Sequence, residues 1–277
     1  MRARRSFFLS LFLFCLVSSL AFGQINIERE VLVKLSPELT YGLLGMRYSA
    51  GKVVMMNNLG RMLSYNLETG EAFNGRIKGE RLIDFDLILG QPVYLTEEGK
   101  LKGQVMENWP DKQFAACRVE ACDQGVLLLG GDKLHFLANN ATRSVDVESI
   151  SFALPVADGF VWSLGKAKKM GSWSISLIDC YGNLMKEVYR FASEFDPCGI
   201  ELGPVGEEGE ALISCYENNY RKLATIGQNG HMFWKINGPE KICPRDLAFD
   251  GEGNLLVIEK FENGAVLSRW KFALPQG

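Results

Sequence analysis

The chain has 277 residues, 47% of them hydrophobic, 11% aromatic and 23% charged, which suits a full core and excludes a disordered or collagen-like chain. Thirty Lys and Arg stand against 33 Asp and Glu, a net charge of −3, so there is no basic footprint for nucleic acid. Only two histidines are present, which excludes any site built from three.

The N-terminus reads as an export signal. Arg2, Arg4 and Arg5 precede an apolar run from Phe7 to Phe22 that only Ser10, Ser18 and Ser19 interrupt. Ala21 and Gly23 place small residues at the −3 and −1 positions of a cleavage site before Gln24. Residues 1–23 are therefore expected to be a signal peptide and 24–277 a single domain. An uncleaved anchor is the alternative, although the run is short for the roughly 20 residues of a span. Phe14 before Cys15 excludes a lipoprotein signal. Removing the leader takes the basic count from 30 to 27 against 33 acidic residues, a net charge of −6. The expected location is periplasmic or secreted.

Cys15 leaves with the leader, and Cys117, Cys122, Cys180, Cys198, Cys215 and Cys243 remain. An even count in an oxidising compartment permits up to three disulfides, and buried free thiols are the alternative.

A repeat runs through the rest of the chain. Polar-Gly turns followed by alternating apolar residues begin near Asn58, Glu98, Gly131, Tyr181, Asn229 and Asn263. Apolar strands lead into this series: Gly51 to Met56, Pro92 to Leu95, Gly125 to Leu129, Gly159 to Ser163, Ala211 to Ser214 and Asn254 to Ile258. A fainter series opens each unit with a polar residue, at Glu38, Asp84, Glu120, Ser151, Glu201 and Asp246, spaced 31 to 50 residues apart. Met185 to Ser193 suits a helix or a strand equally, and no other stretch offers an amphipathic helix.

Short strands at this period predict an all-β fold, a six-bladed β-propeller. Each blade has two apolar faces that it can bury only against its neighbours. The last unit is one strand short, and Glu30 to Lys34 is expected to close the last blade as its outer strand. Two stacked β-sandwiches are the alternative, without a reason for six equivalent units.

Residues Gly51 to Phe73, GKVVMMNNLGRMLSYNLETGEAF, resemble the quinoprotein-like propeller repeat, with Thr69 and Gly70 at its Thr-Gly turn and Phe73 where Trp often stands. Residues Pro244 to Ile258, PRDLAFDGEGNLLVI, resemble the NHL-type and gluconolactonase-like repeats. Quinoprotein dehydrogenases use adjacent cysteines, which this chain lacks. Gluconolactonase-like enzymes hold a divalent cation with Glu, Asn and Asp around the central channel. That resemblance implies a comparable role for blade-opening carboxylates.

First strands of propeller blades line the axis, so Glu38, Asp84, Glu120, Glu201 and Asp246 are the candidate binding residues at the channel mouth. Such a ring would favour Ca²⁺ or another divalent cation, with Glu201 and Asp246 the leading ligands, or a basic peptide. The competing reading has each acid capping a turn or pairing with a neighbouring blade. Asp250 and Glu252 read as part of a β-turn. His135 and His231 follow turns of different blades and are expected to lie apart. Trp109 and Trp173 are candidates for loops. No G-x-S-x-G elbow, Walker loop or G-x-G-x-x-G is present.

The favoured reading is an exported, monomeric, non-enzymatic module without cofactor, binding or scaffolding an envelope protein or peptide. The alternative is a metal-dependent hydrolase or lactonase using the channel-mouth carboxylates.

Overall fold

The computed structural model describes residues 26–103, 112–122, 125–138, 141–147, 149–155, 160–166, 172–179, 181–191, 196–202, 211–217, 220–227, 230–236, 246–262 and 264–273. Only the backbone is described at 26, 27, 122, 160, 196–202, 211–217, 220–227, 230–236, 272 and 273. The expected leader, residues 1–23, lies outside the described residues.

Strand β1 (Asn26–Leu35) leads to a four-residue helix, α1 (Pro37–Thr40). The first sheet follows as β2 (Leu43–Ser49), β3 (Lys52–Asn57), β4 (Arg61–Asn66) and β5 (Ala72–Arg76), and the second as β6 (Leu82–Ile88), β7 (Gln91–Thr96) and β8 (Leu101–Gly103). The third holds β9 (Arg118–Cys122), β10 (Gly125–Gly130), β11 (Lys133–Ala138) and β12 (Ala141–Asp146). The fourth holds β13 (Ile150–Pro155), β14 (Phe160–Lys166), β15 (Trp173–Asp179) and β16 (Leu184–Arg190). Next come β17 (Asp196–Leu202), β18 (Ala211–Glu217), β19 (Tyr220–Gly227) and β20 (Gly230–Ile236), then β21 (Leu247–Phe249), β22 (Leu255–Phe261) and β23 (Gly264–Ala273).

Neighbouring strands pair antiparallel within each sheet, and β1 joins the last sheet in the order β1-β23-β22-β21. Its register runs from Asn26 opposite Ala273 to Leu35 opposite Ala265. The N-terminal strand thus supplies the outer strand of the last blade, and Glu30 to Lys34 lies inside it. The first strands are neighbours in turn, β2 to β6, β6 to β9, β9 to β13, β13 to β17, β17 to β21 and β21 back to β2. That closed circuit is the inner wall of a β-propeller.

The strand count differs from the expected six full blades: five sheets have four strands, and the β6–β8 sheet has three among the described residues. A single bridge from Lys100 to Gln113 lies beyond β8, and residues 104–111 are outside the described residues.

Burial explains the apolar runs. Four of the six side chains of β3 are buried and apolar, and β10 is buried along its whole length, because a blade's middle strands are covered on both faces. Alternation then sorts the side chains between two neighbours. Val53 and Met55 join Leu256, Ile258 and Leu267 of the closing sheet, while Val54 and Met56 join Leu82, Phe85 and Leu87 of the second. In β10, Val126 and Leu128 pack toward Val93 and Leu95, and Leu127 and Leu129 toward Ala153, Val161 and Ile178. The outer strands β5, β12 and β16 have one covered face at most and are largely exposed. Leu184–Arg190 is a strand, which resolves the ambiguity of that stretch.

One turn recurs. Asn57, Thr96, Asp179 and Asp250 each accept, on the side-chain oxygen, the N–H of the residue four positions on. Each also accepts on its carbonyl the N–H of Gly60, Gly99, Gly182 or Gly253, whose φ values are 73°, 77°, 81° and 80°. A polar side chain that bonds its own backbone, followed by a glycine that tolerates positive φ, dictates this geometry. Asp250 is therefore a turn residue, as its sequence setting suggested.

Candidate functional site

The circuit of inner strands brings buried charge together. Asp84 and Asp86 alternate along β6, so both carboxylates point toward β9. Asp84 Oδ2 accepts the N–H of Val119 at 2.8 Å, and Asp86 Oδ2 accepts that of Ala121 at 2.6 Å. An innermost strand has one unpaired edge, and a buried N–H left without an acceptor is costly. These two aspartates satisfy that edge from the neighbouring blade.

Arg47 of β2 completes the cluster. It is 6% exposed, its Nε lies 3.2 Å from Asp86 Oδ1, and its Nη2 lies 3.8 Å from Glu120 Oε2. Its Nη1 donates to the Met46 carbonyl at 2.8 Å, and the guanidinium sits 5.7 Å from the centre of the Phe85 ring. Three consecutive inner strands are thus tied by one cation and three carboxylates. A buried cation between two carboxylates offsets part of the cost of taking the charges out of water.

The candidate acids separate into distinct situations. Asp84 is buried on β6 and Glu120 is buried on β9, the neighbouring inner strand. Asp246 is buried just ahead of β21, and Lys260 Nζ donates to its Oδ2 at 2.7 Å. Glu38 lies on α1 rather than on an inner strand, is exposed, and pairs with Arg61. Ser36 caps that helix, accepting the Leu39 N–H at 3.3 Å, with Pro37 in the first turn. Ser151, the non-acidic member, is exposed on β13. Glu201 pairs in register with Leu212 on β17, and its side chain lies outside those described. Among the described residues, no three His, Cys, Asp or Glu side chains gather as a metal site.

Two members were missed from sequence. Asp86 had a signal, since Asp84-Phe85-Asp86 alternates acids around a core aromatic. Arg47 had only its position as a lone charge in an apolar strand, and its partners come from other blades.

Elsewhere, Cys117 is an exposed free thiol, 3.4 Å from the Leu129 carbonyl. The other five cysteine side chains lie outside those described, as do Asn140 and Trp109. Trp173 falls in β15 opposite Lys166 rather than on a loop. Among the described residues, no helix is long and apolar enough to cross a membrane.

No protein-family profile matches the chain, and no curated protein matches its sequence. Its similarities are to solved propeller structures. A chain of a mitotic checkpoint complex aligns with a TM-score of 0.58 at 7% identity, over 89% of this chain and 93% of that one. The WD40 propeller of Doa1 aligns at 0.51 and 12% identity, over 91% and 98%. An oligogalacturonate lyase from Vibrio parahaemolyticus aligns at 0.52 and 11% identity, over 89% and 97%. At these identities the likeness is one of fold.

Proposed function

We propose that the protein is an exported propeller of six blades that binds or scaffolds a protein or peptide of the cell envelope. In this reading residues 1–23 are removed, and the mature monomer works in the periplasm or outside the cell without a cofactor. One observation carries the choice over the lactonase alternative: each candidate acid whose side chain is described is already engaged within the fold. Glu38 pairs with Arg61, Asp84 accepts from Val119, Glu120 faces Arg47 and Asp246 pairs with Lys260. A propeller also offers a rigid disc on which exposed loops are held in place. The fold itself decides nothing, since the similar structures include WD40 domains and a lyase. The quinoprotein-like and NHL-like patterns are read here as blade grammar rather than as activities.

The test has two arms. Thermal unfolding after EDTA, with and without Ca²⁺, Mg²⁺, Mn²⁺ or Zn²⁺, is expected to show no metal-dependent rise. A rise of several degrees at micromolar metal means that the native state binds the ion. The lactonase reading then leads, and lactones and esters are screened with Glu201→Gln and Asp246→Asn. In the second arm, a photocrosslinking residue replaces exposed Leu89 or Tyr41 in the producing cell. The reading expects one dominant adduct in the envelope fraction, a mature chain starting at Gln24, and saturable binding of the purified partner. A cytoplasmic chain that retains its leader overturns export.

A further inference from the structure

Among the described side chains, the seams joining the closing sheet to the first, the first to the second and the second to the third are packed with apolar residues. Between the third and fourth sheets a cavity of about 300 Å³ opens to solvent. On the fourth sheet, facing the third, Ser163 stands opposite Ser176, and Gly165 opposite Ser174, where the seams of the closing and first sheets and of the second and third carry Leu, Val or Met. Small side chains on one face leave room that the facing blade does not fill.

The backbone beside the cavity is held in an uncommon conformation. Ala50, Leu89 and Ser149 are the non-glycine residues with positive φ among those described. Ala50-Gly51 and Leu89-Gly90 are two-residue hairpin turns with both φ values positive, which explains them. Ser149, at φ 64°, lies in no hairpin but between β12 and β13. Its carbonyl accepts the Lys166 N–H at 3.1 Å, and a Cβ on Gly165 would meet that carbonyl at 2.4 Å. Strain kept in place by surrounding contacts is a marker of function.

The lining has a chemical direction. Ser149, Ser174 and Ser176 line the cavity, Ser163 beside them donates its hydroxyl to the Ser176 carbonyl at 3.1 Å, and Ile178 and Leu184 form an apolar wall. Asp146 reaches the cavity, but Lys133 holds it at 3.4 Å. Lys166 also lines the cavity and meets no carboxylate among the described residues. Among the described residues Lys166 is thus an exposed cation at the cavity with no carboxylate partner.

We infer that this cleft is a binding site for a small amphipathic carboxylate. The carboxylate pairs with Lys166 and takes serine hydroxyl donors, and the apolar body lies against Ile178 and Leu184. The site shares no residue with the inner-strand acids and does not depend on them. The same chemistry is offered by a free organic acid and by a peptide C-terminus ending in an apolar residue.

Isothermal titration with N-acetyl-L-leucine tests this, with N-acetyl-L-leucinamide as the uncharged control. The acid is expected to bind at least about tenfold tighter than the amide. Lys166→Gln is expected to weaken the acid by about tenfold and leave the amide unchanged. Ser176→Leu, which fills the cleft, is expected to abolish binding with the unfolding midpoint retained. If that variant fails to fold, Lys166→Gln, at an exposed residue, still decides. No binding of the acid, equal binding of acid and amide, or no effect of Lys166→Gln overturns the proposal. An acetylated tetrapeptide ending in leucine separates the sources: tighter binding than the single residue assigns a peptide C-terminus, and equal or weaker binding a free acid.

Discussion

Two seams of the propeller contrast. Where the closing sheet meets the first sheet, Met46, Val53, Met55, Leu63, Leu256, Ile258 and Leu267 form one buried cluster with Leu35 and Leu39. Where the third sheet meets the fourth, Leu127, Leu129, Val161 and Ile178 are buried, but the row continues into serines and a cavity. Both seams join similar sheets. The closing seam, which holds the ring shut, is filled, whereas the serine seam leaves space between its sheets.

Substitutions can sharpen or break this contrast. The largest effect is expected at the closing seam, where Leu256→Ala removes a fully buried side chain and should cost about 2–5 kcal/mol by denaturant unfolding. A loss under about 1 kcal/mol would mean that the seam is not the clasp described here. Next is Asp84→Ala, which leaves the buried Val119 N–H without its acceptor and should cost about 1–3 kcal/mol. Asp84→Asn, which keeps an oxygen in place, should recover part of that loss. In the serine seam the sign changes. Ser174→Ala should shift stability by about 0.5 kcal/mol or less, and Ser176→Val should leave it unchanged or raise it by filling space. A loss comparable to that of Leu256→Ala would erase the distinction.

The smallest expected effect is on pH dependence. His135 lies on β11, 2.7 Å from Ser144 Oγ and against Phe114. Burial, then Lys112 and Lys133, hold it below its ordinary value of 6.5. The unfolded chain therefore takes up a proton at a pH where the folded chain does not, so stability is full above 6.5 and declines as pH falls below it. His135→Gln should flatten that acid-side slope, as measured by unfolding midpoints across the range.

The parts legible in the sequence were those set by local rules. Val53 to Met56 and Val126 to Leu129 announce strands covered on both faces. The Asp179 and Asp250 turns announce themselves by a polar residue and a glycine three positions later. The closing strand could be inferred because the last unit lacked a partner and an apolar strand remained at the N-terminus. Glu38 was placed with the inner-strand acids because its neighbours fit the repeat. Yet Ser36-Pro37 is a helix start, and that local signal decided its position. Arg47 could not be paired from sequence, because Asp86 and Glu120 meet it only when three blades stand side by side. The serine cleft was also hidden, since Ser163 on β14 and Ser174 and Ser176 on β15 form a lining only when the two strands pair.

The pairing of β1 with β23 also orders events in time. Arg29 bonds Glu259 across 230 residues of chain, so the first described strand to be synthesised waits for the last before it has a partner. Blades built from consecutive strands form by short-range closure, but the ring itself closes through one long-range step whose entropic cost grows with the logarithm of its loop. Until then the closing sheet exposes one edge and the first sheet one face, and the molecule is most open to misassociation in that interval. The two described ends, Asn26 and Ala273, finish opposite one another. Joining them by a short linker and opening the chain at the exposed turn between Glu97 and Glu98 would make the β1–β23 pairing local and transfer the long-range step to β7 and β8.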